Sequence, residues 1–148
     1  MIRLKLVQFL TNWHPSDTKI TNEIIKWRST FDEKSWMSLM NQYVIPKLSN
    51  CLSKLEVNPK NQQIDPINWV NKWQNALFKT TIATLFVQNL LPKWLEILNI
   101  WISTESVDLE EVMEWYFGWK SILPSEIIKI KNVEEYFKTA LILINSVV

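Results

Sequence analysis

Residues 73–101 read WQNALFKTTIATLFVQNLLPKWLEILNIW, a long apolar stretch interrupted by Leu90-Leu91-Pro92-Lys93-Trp94. The same pattern occurs once earlier. Trp27 stands nineteen residues before Pro46, as Trp73 stands nineteen before Pro92. At an offset of 46, Asn22, Lys26, Trp27, Leu39, Gln42, Pro46, Lys47 and Leu52 recur as Asn68, Lys72, Trp73, Leu85, Gln88, Pro92, Lys93 and Leu98. Apolar character is kept at Ile24/Val70, Met40/Phe86, Val44/Leu90 and Leu48/Trp94.

A period in the mid-forties, built only from helical patterns, points to an all-α array of two-helix repeats of the HEAT or armadillo kind. In this reading 33–55 and 79–102 are two long helices, each kinked at its proline because proline lacks the N–H and crowds the preceding turn. Continuing the offset brings Trp73 onto Trp119. Beyond that the third copy fades, as a divergent terminal unit does.

The totals fit one helical domain over 1–148. A single Gly argues against tight hairpins and against a phosphate-binding glycine loop. Nine Trp supply large, rigid core pieces. One Cys excludes an internal disulfide and one His excludes the usual zinc sets, so no metal or other cofactor is expected. Net charge is +1, but residues 1–60 carry nine basic against five acidic side chains, and 103–148 four against eight. The longest uncharged run of the apolar helix, 80–92, falls far short of a membrane span. Arg3 and Lys5 within the first apolar run argue against a signal peptide.

Along the chain, 2–13 reads as an amphipathic helix ended by His14-Pro15. His14 is expected to touch the last carbonyls of that helix. Ser16-Asp17-Thr18 opens a short second helix, and Asp32 caps the helix that follows. Asp65-Pro66 has the residues of an N-cap and first helical position, for a helix reaching about Leu77. Asp108 with Glu111 resembles a capping box, and Asn132 with Glu135 is expected to cap a last helix, 133–146. The acidic run 105–114 is explained most simply by that capping; a docking patch for a basic partner is the alternative. Gly118 stands inside a helical pattern, where close approach of another backbone would account for it.

No serine elbow, Cys/His pair or histidine cluster is visible, so no reaction is expected. Cys51 reads as a small buried filler. Basic and aromatic residues interleave at Lys26-Trp27-Arg28, Lys47, Lys72-Trp73, Lys93-Trp94 and Trp119-Lys120, a pattern compatible with single-stranded RNA. The same tryptophans recur at core spacing, and a buried indole cannot stack on a base.

Several strings, in order and spacing, resemble one family: Trp13-His14-Pro15-Ser16-Asp17, Ile45-Pro46-Lys47-Leu48, Cys51-Leu52, Val57-Asn58-Pro59, Pro92-Lys93-Trp94-Leu95 and Trp115-Tyr116-Phe117-Gly118-Trp119-Lys120-Ser121. They resemble the C-terminal part of the septin- and tuftelin-interacting proteins, a region of the GC-rich sequence DNA-binding factor-like class. The resemblance implies a nuclear, non-enzymatic scaffold in disassembly of the late, intron-containing spliceosome. It also implies partnership with a DEAH-box RNA helicase through a glycine-rich G-patch, which these 148 residues do not contain. The chain is therefore expected to be a docking module for spliceosomal proteins, corresponding to the C-terminal part of a longer scaffold. RNA contact is the alternative. Trp13, His14, Trp115, Trp119 and Lys120 are the candidate protein contacts; the competing reading places the tryptophans in the core.

Overall fold

The computed structural model describes residues 2–147, with side chains from Leu4 onward. All regular structure among the described residues is helical. The order is α1 (Ile2–Asn12), α2 (Thr18–Lys26), a 3₁₀ turn (Trp27–Thr30), α3 (Glu33–Leu39), a π turn (Met40–Val44), α4 (Ile45–Lys54) and α5 (Asp65–Asn71). Then come α6 (Lys79–Asn89), α7 (Leu91–Ile102), α8 (Leu109–Ile122), α9 (Ser125–Ile128) and α10 (Lys131–Asn145).

The stretch 33–54 is helical throughout but not uniformly α, a π turn lying within it, whereas 79–102 is divided at Leu90. In the first, the Ile45 N–H reaches back five residues to Met40, and Pro46 falls in the opening turn of α4. Inserting one residue into the turn moves the backbone that a proline ring would strike. In the second, Leu90 separates α6 from α7 and Pro92 opens α7. The residue two before each proline absorbs the distortion: φ is −96° at Val44 and −126° at Leu90. Both prolines are exposed.

The residues repeated at the offset of 46 hold like positions. Leu39/Leu85 and Leu52/Leu98 are buried, Lys47/Lys93 are half-buried, and Asn22/Asn68, Lys26/Lys72 and Gln42/Gln88 are exposed. Only the tryptophan differs, Trp27 being half-buried and Trp73 fully buried. One core runs from Leu6 on α1 to Ile144 on α10. Trp36, Trp73 and Trp94 are among its largest members.

Caps explain several helix boundaries. Asp17, Asp32 and Asp108 accept from Ile20, from Ser35 and from Glu110 and Glu111 respectively, as expected. Asp65 is already inside α5, Ile64 is the cap residue, and no side chain caps it. That helix stops at Asn71, and its chain continues as turns to Ala76. Asn132 likewise lies inside α10, which starts from Ile130 in extended backbone. The short α9, which follows Pro124, has too few residues to show a period in the sequence.

C-terminal ends follow a different rule. Many helices finish on a residue at positive φ, usually Gly. No described residue has positive φ, and Gly118 lies inside α8. The terminal carbonyls are instead met by side chains from elsewhere. Lys47 Nζ donates to the carbonyls of Leu10 (2.6 Å), Thr11 (3.1 Å) and Trp13 at the end of α1. Its repeat counterpart Lys93 donates to Leu52 (2.7 Å) and Ser53 (2.9 Å) at the end of α4. Arg28 and the Trp36 indole reach Asn75 and Ala76 in the turns after α5. Asn71 donates to Ile122, the last residue of α8.

Candidate functional site

The five residues singled out by sequence fall into two groups. The first lies where α1 turns into α2. Trp13 is buried, at 4% exposure. Its indole N–H donates to Thr21 Oγ1 at 3.0 Å, and its ring meets Trp73 edge-on at 5.5 Å. The Lys47 ammonium lies 5.4 Å from the Trp13 ring centre. His14 is exposed. It does not reach back to the α1 carbonyls, which Lys47 already occupies. Its Nδ1 accepts from the Ser16 N–H at 3.1 Å and sits 2.8 Å from Ser16 Oγ, so it tightens the Pro15 turn.

The other imidazole nitrogen, Nε2, lies 3.9 Å from Cys51 Sγ, and the ring packs edge-on against Trp69. No local pattern signals this cysteine–histidine proximity, since the two residues are far apart in the chain. Nucleophilic chemistry at Cys51 requires thiolate. Burial pushes the Cys51 thiol up, outweighing a pull the other way from Lys54. The environment thus favours the neutral thiol, the reverse of an activated nucleophile.

The second group lies where α7, α8 and α10 meet. Trp115 is half-buried and stacks on Trp94, with centres 5.5 Å apart and planes 12° from parallel. Trp101 and Trp119 pack edge-on against Trp115. Trp119 is in the core, at 3% exposure. Lys120 is exposed, 6.0 Å from the Tyr116 ring centre, beside a cleft of about 1120 Å³ bordered by Tyr116, Phe137 and Lys138. Burial raises the Tyr116 hydroxyl from its ordinary value.

Two lysines of the basic–aromatic pattern, Lys47 and Lys93, are committed to backbone carbonyls, and partial burial pulls both amines below the ordinary lysine value. The signal for that role was the repeated Pro-Lys pair, which periodicity alone could not assign. No group of His, Cys, Asp and Glu able to hold a metal ion occurs among the described residues. No helix among them is long and apolar enough to cross a membrane.

The family model for GC-rich sequence DNA-binding factor-like protein matches residues 1–98. The chain belongs to that family. Within the GC-rich sequence DNA-binding factor-like family it is similar to tuftelin-interacting protein 11 of Danio rerio, 37% identical over 147 residues. It is 35% identical to that of Sus scrofa and 34% to that of Gallus gallus. Each likeness takes in 99% of this chain but 18% of the relative, so the chain spans under a fifth of the length of the curated relatives it matches.

Proposed function

We propose that this chain is a protein-docking module of a nuclear splicing factor that acts, without catalysis of its own, in disassembly of the intron-containing spliceosome. The observation that carries the reading is the likeness to tuftelin-interacting protein 11 across 99% of the chain. The module is one helical domain in which 18–54 and 65–102 are stacked, HEAT-like copies, each bent at its proline. Support comes from the matched burial of the repeated residues and from Lys47 and Lys93 doing the same work on successive helix ends. Its partners are other spliceosomal proteins, with a DEAH-box helicase engaged through a different part of the longer scaffold. Of the five candidate contacts, His14 and Lys120 offer accessible side chains, while Trp13, Trp115 and Trp119 hold the faces on which those two stand. RNA contact is the weaker alternative, because the cations that pattern relied on are partly spent inside the fold.

The test is retention from nuclear extract on the immobilised 148-residue chain, with single-stranded RNA titrated in parallel. Retained spliceosomal proteins, with RNA binding weak, are the expected result. Micromolar RNA binding that falls steeply with salt, without protein retention, would overturn it.

A further inference from the structure

Two features of α8, an apolar stripe and a pair of glutamates, reach the surface of the fold. Beside the buried Val112, Tyr116 and Trp119, Leu109, Met113 and Phe117 follow one another at one-turn intervals and lead outward, Leu109 and Met113 half-buried at the edge of the core and Phe117 beyond it. Phe117 is 57% exposed. Glu110 and Glu114 run alongside that stripe, and neither forms an ion pair among the described residues. Glu110 lies in the first turn, where it suits the helix dipole, but Glu114 is beyond it. Gly118 is also exposed, about 100° further round the helix than Phe117, and a Cβ built there meets nothing within 4 Å. The internal close approach expected at this glycine is therefore absent, yet Gly weakens a helix interior.

We infer that the outward face of α8 is the docking site for a basic amphipathic helix of a partner protein, with apolar side chains on the Leu109–Met113–Phe117 stripe and Lys or Arg facing Glu110 and Glu114. This deepens, and rests on, the docking function proposed above. The charge pattern sets polarity as well. Lys120 closes the face at its C-terminal end, so the partner's basic residues lie towards the Leu109 end. Apolar anchors at helical spacing supply affinity, and the flanking carboxylates supply selection against acidic competitors.

The test uses the intact chain and a designed 14-residue helical peptide with Leu at one-turn spacing, flanked by Lys, and an otherwise identical peptide with Glu. Fluorescence anisotropy is expected to show the Lys peptide binding at least about tenfold tighter than the Glu peptide. Glu110→Lys/Glu114→Lys is expected to reverse that order, and Phe117→Ser to weaken the Lys peptide by a similar factor, with circular dichroism checking that each variant stays helical. Equal binding of both peptides by the parent chain, or indifference to Phe117→Ser, overturns the inference. So does concentration-dependent self-association abolished by Phe117→Ser, which would make the face a contact between copies. If the parent chain and the charge-reversed variant retain the same spliceosomal proteins equally, only this inference fails. If neither retains any, the docking function itself fails.

Discussion

Lys47 and Lys93 each hold the end of a preceding helix by charge-assisted hydrogen bonds to two or three carbonyls. Replacing either with Met keeps most of the stem and removes the donors. Each change is expected to cost about 1–3 kcal/mol, similar for the two sites, measured by urea unfolding. Indoles offer a second comparison. Trp36 donates to the Ala76 carbonyl at 2.9 Å, whereas the buried Trp94 N–H has no partner among the described residues. Trp36→Phe therefore loses a hydrogen bond that Trp94→Phe does not, and is expected to be the costlier by about 1 kcal/mol. Gly118→Ala, with open space at its Cβ and ordinary helical backbone, is expected to raise stability by about 0.5–1 kcal/mol in thermal melts.

At the scale of the helix, the N-terminal caps separate true starts from false ones. Asp108 accepts from two N–H groups, and Asp108→Ala is expected to cost about 1 kcal/mol. Asn132 looks like the same signal but stands inside α10, so Asn132→Ala is expected to change stability by less than about 0.5 kcal/mol. Asp32 adds a pH dependence. Hydrogen bonds from Ser35, side chain first and backbone second, hold its carboxyl below the ordinary carboxylate value. A lowered folded-state pKa stabilises above the ordinary value and loses that effect as pH falls through the lowered one. The melting-temperature gap between the parent chain and Asp32→Ala is thus expected to be constant near neutrality and to close in acid, on scanning calorimetry. These cases show what was legible. Aspartates just before an amphipathic run were read correctly at positions 17, 32 and 108, because an N-cap is a local interaction. Asp65 and Asn132 were misplaced by a residue or two, since Ile64 and Ile130 start their helices from backbone geometry alone. The breaks before Pro46 and Pro92 were visible as prolines, but the π turn in one and the single-residue interruption in the other depend on the packing around Val44 and Leu90.

Across the whole molecule, the burial of the residues that recur at the offset of 46 is legible as periodicity, while the side chains that join distant parts of the chain are not. Lys93 meeting Ser53, Arg28 meeting Asn75 and Cys51 meeting His14 all bring together residues about forty positions apart, beyond any local pattern. The choice between contact and core at Trp13 is likewise out of reach of a local pattern, because the ring that covers it, Trp73, comes from a distant part of the chain. The missing positive-φ helix ends carry one more consequence. Because the ends of α1 and α4 are gripped by amines of α4 and α7, those amines are shielded from reagents until these helices part. Gentle acylation of the folded chain is expected to mark exposed Lys26 and Lys72 quickly and Lys47 and Lys93 slowly. Mass spectrometry of the lag at the last two would then clock how often those helix ends come free.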